Sequence, residues 1–367
     1  MKAPPAASAS RAGAVGASRH LRLGIFAIAA LGASVGLIRA QNDISLQFHA
    51  FQDTRGVTVL TPDVDLSRDL TDRSSLRVKF GVDAITSASD SCVRCHPGGE
   101  HDRRITGSAA FTQKVGAARF SIGGEIGDEH WYGSTALIAS ASREFNGANT
   151  TVAGGFSYAI NHPVRHPSDD QVERNTAKDG YVSLTQTLSP TTALQGGYEI
   201  ARIDGFQTNV FLRAQVNDEL LVGNHPDTRT RHTIMARVRQ ALPADTFLEA
   251  DYRRYHDTWA IDSNALTVGV SHRFSAPFLA SVGYRYYDQS GVFFYQPSYI
   301  GSPQYFTADF RLIPFGSGLY SGRVEISPKN GVAGLAPGSA LTLEYDRYRA
   351  DTGFQAAIFS AGLRIPF

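Results

Sequence analysis

From Asp43 onward the chain alternates apolar and polar residues, and this period of two constrains the fold more than any other feature. In residues 76–84, apolar side chains occupy the even positions, and glycine or charged residues occupy the odd ones. The same alternation recurs in 234–239, 248–253 and 341–346. A strand places successive side chains on opposite faces, whereas a helix would scatter these charges around its axis. The pattern therefore predicts strands whose two faces meet different surroundings.

Short turns and long loops alternate between these strands. The turns are rich in Gly, Pro, Asn, Asp and Ser, and read LTDRSS, KVGAAR, FNGANT, LSPTT, LPADT and FSAPF. The longer polar loops cover 87–103, 163–177, 204–228 and 289–317. Short turns at one end and long loops at the other are typical of bacterial outer-membrane barrels, whose turns face the periplasm.

We therefore predict an all-β fold, a transmembrane antiparallel β-barrel of about 16 strands. A single barrel domain is expected over residues 41–367, with the loop 87–103 as a separate feature. The strand count is weakest over 306–338, where prolines and glycines interrupt the alternation.

The end of the chain supports the barrel. Its last apolar face carries Ala357, Phe359, Ala361, Leu363, Ile365 and the terminal Phe367. Outer-membrane insertion machinery recognises a final strand of this kind. The alternative, a soluble β-sandwich or barrel, would bury many Arg, Asp and Glu side chains at high cost, whereas a polar lumen accommodates them. Aromatic residues near strand ends predict girdles at the membrane interface: Trp131, Tyr132, Trp259, Tyr286 and Tyr287.

Residues 1–40 have the character of a signal peptide. A weakly basic start precedes the apolar run Leu23 to Ile38, which is short for a membrane-spanning helix. Cleavage after Ala40 is expected, although Ile38 is larger than the residue usually found at its position. An uncleaved anchor is the alternative. The leader predicts export, and with the barrel pattern it predicts the bacterial outer membrane, with lipid as a partner.

The charge balance excludes one class of partner. The chain has 35 Lys and Arg against 34 Asp and Glu, and five of the basic residues fall within the first forty positions. The remainder carries a small acidic excess, so no nucleic-acid partner is expected. We find no nucleophile constellation, phosphate-binding loop or supported carboxylate pair, and expect no enzymatic activity.

Three stretches resemble the family of bacterial outer-membrane proteins recorded as domain of unknown function 3570. They read VTVLTPDVDLSRDLTDRSSLRVKFGVDAITSAS, NHPDTRTRHTIMARVRQALPADTFLEADYRRYHDTWAIDSNALTVGV and ASVGYRYYDQSGVFFY. The resemblance is spread over most of residues 43–350 and implies a barrel and its compartment. It implies no activity, since none is assigned to the family. The chain departs from the family at SASDSCVRCHPGGEHDRR, where members usually have a Ser/Ala/Gly/Pro loop without cysteines.

That departure contains the only cysteines of the chain, Cys92 and Cys95, followed by His96. Cys-x-x-Cys-His is the attachment signature of a c-type haem. Two thiols at this spacing add to the haem vinyl groups, and the histidine becomes an axial ligand of the iron. We therefore predict one covalent haem c, with thioether bonds to Cys92 and Cys95 and His96 as the metal ligand. A Cys92–Cys95 disulfide, a zinc site with His96 and His101, and inert thiols remain alternatives.

The sixth iron ligand stays open. Met235 is the only methionine after the leader, and it is expected to face the lumen, which disfavours a methionine ligand. The remaining candidates are histidines of the long loops: His101, His162, His166 and His225.

Two functions of different classes follow. The first is electron transfer at the cell surface through one haem on a long loop that we expect to be extracellular. One haem cannot bridge a bilayer core of about 30 Å, so this function needs partner cytochromes or an extracellular electron acceptor. The second is a porin-like or structural barrel without a redox role.

Overall fold

The computed structural model describes residues 42–87, 100–166 and 169–367. Its elements in chain order are β1 (Asp43–Asp53), β2 (Thr58–Thr71), β3 (Ser74–Ser87), β4 (Glu100–Val115), β5 (Ala118–Glu129), β6 (Tyr132–Phe145), β7 (Thr150–His166), β8 (Asp169–Val172), β9 (Asn175–Ser189), β10 (Thr192–Gly205), β11 (Arg213–Val216), β12 (Glu219–Val222), β13 (Thr228–Leu242), β14 (Thr246–Asp257), β15 (Asp262–Ser275), β16 (Phe278–Gln289), β17 (Phe315–Ile326), a 3-10 turn (Val332–Gly334), β18 (Ala340–Ala350) and β19 (Gln355–Pro366). Among these residues, no helix is long and apolar enough to cross a membrane.

Sixteen of the strands close into one antiparallel barrel. Each barrel strand pairs with its neighbours in chain order, and β1 closes the ring by pairing with both β2 and β19. The short strand β8 pairs only with β7, while β11 and β12 form a separate hairpin. The predicted fold class and strand count are confirmed, and β17 resolves the ambiguous stretch after residue 306.

The outer face of the barrel is apolar and exposed. Phe80 is 50% exposed and Val282 is 66% exposed. A continuous exposed apolar surface of this kind is unusual in a water-soluble protein. The same belt includes Phe120, Ile122, Leu137, Phe156, Val182, Leu184, Ile234, Val268, Tyr345 and Phe359. An apolar belt around a closed barrel is the surface that lipid covers.

The inner face is polar and paired. Arg77 forms an ion pair with Asp65 across β2 and β3, and Thr61 donates a hydrogen bond to Asp83. Asp63 lies near both His49 and Lys79, at 3.5 Å from each. Because these residues alternate with the lipid-facing ones, the period of two seen in the sequence separates lipid from lumen.

Both ends of the barrel follow the predicted asymmetry. Residues 42 and 367 lie at one end, joined by the hydrogen bond from the Phe367 amide to the Asn42 carbonyl. The short predicted turns lie at this end, which we call the short-turn end; in bacterial outer-membrane barrels the short turns face the periplasm. The connections after β3, β7, β10 and β16 lie at the opposite, long-loop end.

The predicted aromatic girdle is only partly correct. Tyr286 faces outward and is exposed. Trp259 was wrongly assigned to it, because the turn between β14 and β15 folds inward and leaves this ring 2% exposed. Tyr287 was also wrongly assigned, since it occupies an inward position of β16 and donates a hydrogen bond to Gln289.

Candidate functional site

Two long segments at the long-loop end pack into a single body. We call residues 206–227 and 290–314 together the cap. Val216 pairs with Tyr299, and Asn224 pairs with Phe306, as isolated β-bridges between the two segments. Asn217 strengthens this junction, because its amide nitrogen donates to the Gly301 carbonyl at 3.0 Å and its amide oxygen accepts from the Gly301 amide at 2.8 Å.

Two apolar clusters stabilise the cap. One joins Val292, Phe294 and Leu312 of the cap to Trp259 and Ile261 of the turn after β14. The other lies within the cap and contains Ala214, Val216 and Tyr299. The Tyr299 hydroxyl also accepts a hydrogen bond from the Thr307 amide at 2.9 Å. The sequence pattern predicts polar loops for both segments. The density of aromatic residues in 293–306 was the available signal against that view, since so many aromatic rings are rarely left in water.

The cap reaches across the mouth of the barrel to the opposite rim. Its two segments emerge between β10 and β13 and between β16 and β17. Phe211 of the cap packs against Trp131 in the turn after β5, with ring centroids 6.0 Å apart. Phe310 lies under the guanidinium of Arg55, 4.6 Å away, in the turn after β1. The cap is thus attached or in contact at four points of the rim: after β1, after β5, after β10 and after β16. Successive points are four strands apart in the ring of sixteen, so they are evenly spaced around the rim.

His225 joins the two cap segments from inside. It is 5% exposed and lies edge-on to Trp259, with ring centroids 5.5 Å apart. Its Nδ1 lies 3.3 Å from the Gln207 carbonyl, and its Nε2 lies 2.9 Å from the Thr307 hydroxyl. A carbonyl only accepts, so Nδ1 donates and Nε2 accepts from Thr307. Burial lowers the pKa of His225 to about 4, which keeps the ring neutral at neutral pH.

A buried ion pair secures the wall beneath the cap. Arg229 pairs with Asp257, and its guanidinium stacks over the ring of Trp259 at 4.4 Å. The Asp257 carboxylate also accepts hydrogen bonds from the amides of Trp259 at 2.8 Å and Ile261 at 3.1 Å. These bonds explain why the turn after β14 points into the barrel and supplies the cap with its tryptophan.

The strands on either side of the haem motif, β3 and β4, meet the long-loop end of the barrel. Cys92, Cys95 and His96 fall outside the described residues. His162 is exposed near the end of β7, opposite Gly133 of β6. His101 is the second residue of β4, and His166 is the last residue of β7. His225 uses both ring nitrogens inside the cap, so it reaches an iron only if the cap opens.

The lumen below the cap is lined by arginines of β13, β14 and β16. Arg237 pairs with Asp251 at 2.9 Å, and Arg239 pairs with Glu249 at 2.6 Å. Met235 lies between them and the cap, inward-facing and buried, as expected. A cavity of 620 Å³ extends from these strands toward the short-turn end, and a smaller one of 160 Å³ adjoins it. Within the described ranges, no group of three or more His, Cys, Asp or Glu residues is arranged to hold a metal ion.

A closed barrel with a lipid-facing belt, a polar lumen and a packed cap defines an outer-membrane β-barrel protein, located in the bacterial outer membrane. The family model described as "Protein of unknown function (DUF3570)" matches residues 95–168 and 160–351, which is more than half of the chain. The chain belongs to this family. No curated protein matches the sequence.

Solved structures resemble the barrel at low sequence identity. A bacterial polysaccharide outer membrane secretin is 10% identical, with 89% of this chain and 99% of that chain covered and a TM-score of 0.50. OpdK of Pseudomonas aeruginosa, solved with vanillate, is 8% identical over 89% of this chain and 97% of that chain, with a TM-score of 0.47. OmpT of Vibrio cholerae, in a form lacking loop L8, is 12% identical over 89% of this chain and 98% of that chain, with a TM-score of 0.46. At such identity the likeness to the secretin concerns the fold alone.

Proposed function

We propose that this barrel carries one covalent haem c between β3 and β4 and takes part in electron transfer at the cell surface. The observation that carries the proposal is the Cys92-x-x-Cys95-His96 motif, which contains the only two cysteines of the chain. Cys92 and Cys95 hold the porphyrin through thioether bonds, and His96 is the axial ligand. When bound, the haem supplies a one-electron carrier that the barrel itself lacks.

The position of the motif in the barrel supports this proposal. β3 ends at Ser87 and β4 begins at Glu100, both at the long-loop end. A connection at this rim adds chemistry without altering strand pairing. In the ring order the junction of β3 and β4 lies midway between the rim positions of Arg55 and Trp131, the two points where the cap contacts the opposite wall. We expect a haem on this connection to be accessible to an external acceptor.

A partner cytochrome is required on the donor side. A bilayer core of about 30 Å separates the long-loop end from the periplasm, too far for one electron step. Electrons therefore arrive through another cytochrome of the outer membrane, and an oxidised acceptor outside the cell takes them up. His101, His162 and His166 are candidates for the sixth ligand, and His225 is a candidate only if the cap opens.

A haem-stained denaturing gel tests the cofactor. The full chain is expressed with haem-attachment machinery, and we expect covalent haem in the wild type and none in the variant Cys92→Ser with Cys95→Ser. His96→Ala keeps the covalent haem and alters its absorption spectrum. Both variants should retain the folded barrel, seen as a band that shifts on boiling. A folded wild-type barrel without a Soret band overturns the proposal and leaves a disulfide or free thiols.

A second candidate is a solute channel, favoured by the 620 Å³ cavity in the lumen. Its wall contains charged residues such as Arg239 and Glu249 and small residues such as Gly269 and Ser271. Because the cap covers the mouth, this channel conducts only when the cap moves. In planar bilayers, a variant with 291–313 replaced by a short Gly/Ser linker should conduct more than the wild type. Equal conductance of the two would argue against the channel.

A further inference from the structure

The smaller lumen cavity has an unusual lining. Three arginines, Arg237, Arg253 and Arg285, face it from β13, β14 and β16. Two carboxylates, Glu249 and Asp251, share the cavity with them. The remaining lining residues are Ala265 and Thr267, both small, so the guanidinium groups border open space.

The two carboxylates are already engaged by arginines other than Arg285. Asp251 lies 2.9 Å from Arg237 and 3.2 Å from Arg253. Glu249 lies 2.6 Å from Arg239, which is not part of the cavity lining, and at a longer distance of 3.6 Å from Arg237. The cavity therefore has more positive than negative charge.

Arg285 is the cavity arginine without a carboxylate partner among the described residues. Across the described ranges it forms no ion pair, and its guanidinium lies 5.7 Å from the ring centroid of Tyr287. Its strand neighbour in the register is Thr267, which offers a hydroxyl and no charge. A partly buried guanidinium without a carboxylate partner is suited to receive one from a ligand, because its two N–H groups match the two oxygens of a carboxylate.

We propose that this pocket binds a small carboxylate anion, with Arg285 as its principal contact. The volume of 160 Å³ is close to the roughly 150 Å³ of a known cavity that holds one benzene molecule, so a ligand of about six heavy atoms fits. The cavity opens into the larger one through shared residues Glu249, Asp251 and Thr267. This proposal rests on the second candidate function, the solute channel. It names small carboxylates as the class of solute that the channel would carry.

Binding of butyrate by the full chain in detergent tests the proposal without requiring conduction. Ligand-observed NMR titration compares butyrate with butyramide, which has the same heavy-atom count and no charge. We expect saturable binding of butyrate and at least tenfold weaker binding of butyramide, since a hydrogen bond to a charged group is worth about that factor. Equal binding of the two compounds overturns the proposal. Tighter binding of inorganic phosphate than of butyrate overturns the carboxylate class.

Variants of Arg285 test whether butyrate binds in the smaller cavity. Arg285→Gln should weaken butyrate binding about tenfold, and Arg285→Lys should weaken it less, because it keeps the charge but loses the fork. Arg323→Gln is the matched control, since Arg323 lines only the larger cavity and pairs with Glu325. Unchanged binding in both Arg285 variants, or equal loss in the control, overturns the assignment. Absence of conductance in bilayers would contradict the channel and leave the binding result standing.

Discussion

Acid should loosen the cap through His225. In the closed cap, burial lowers the pKa of this ring from 6.5 to about 4. Once the cap opens, the ring regains water and its ordinary pKa. Asp309 favours the charged ring, whereas Arg311 and Arg229 oppose it, and Thr307 donates to the nitrogen that would be protonated. The open state therefore takes up a proton at a higher pH than the closed state.

The direction and size of the effect follow from this difference. The contribution of His225 to closure is fully present above about pH 6.5 and is lost as the pH falls toward 4. Each pKa unit corresponds to about 1.4 kcal/mol, so the whole interval amounts to about 3 kcal/mol. At pH 5 the loss is about 2 kcal/mol, which shifts the closed–open equilibrium roughly thirtyfold.

Tryptophan emission measures the opening directly. The chain has two tryptophans, and Trp131→Phe leaves only Trp259, which is buried beside His225. Between pH 7 and pH 4.5 we expect the emission maximum of Trp259 to move to longer wavelength as water reaches the ring. His225→Gln should abolish this shift between pH 6.5 and 5, and His256→Gln, an exposed position, should not. An equal shift in His225→Gln, or none in the Trp131→Phe parent, would refute the reasoning.

Three further changes probe other parts of the structure. Asp257→Ala leaves the Arg229 guanidinium buried without its partner, so we expect a loss of about 3–5 kcal/mol, measured as a lower temperature at which the folded gel band disappears; an unchanged temperature would contradict the anchoring role. Gly205→Val should reduce the folded yield, because Gly205 has a φ of 111° and a new Cβ would lie 2.4 Å from the Arg174 carbonyl oxygen, whereas Gly196→Val, with nothing within 4 Å, should be tolerated. Deletion of Phe367 should lower the amount of protein assembled in the outer membrane, and unchanged levels would show that the C-terminal signal was misread.

The barrel was predictable from the sequence because its signals are local. Alternation in 76–84 or 248–253 assigns each residue to lipid or lumen without knowledge of any distant contact. The short turns identify one end of the barrel in the same way. Register then follows from neighbouring strands, as for Arg237 opposite Asp251.

The cap was not predictable in this way, because its contacts join distant parts of the chain. Asn217 and Gly301 are 84 positions apart, and no periodicity marks either residue. The same reason explains the misassignment of Trp259. A tryptophan at a strand end is typical of an interface girdle, but the hydrogen bonds of Asp257 draw this turn inward.

The two candidate sites also differ in how far the sequence predicts them. The sequence predicts inward-facing arginines, but the pairings across strands that leave one of them without a carboxylate are seen only in the structure. The haem motif is read entirely from Cys92, Cys95 and His96, and it stays a prediction of the sequence.

The most direct test of the proposed function asks whether the haem exchanges electrons outside the cell. Intact cells producing the barrel are reduced, and oxidised azurin, a soluble copper protein too large to pass through porins, is added while the haem α band is recorded. We expect rapid loss of the reduced band in the wild type and no such band in Cys92→Ser with Cys95→Ser. A wild-type band that persists until the outer membrane is permeabilised would contradict electron transfer at the surface.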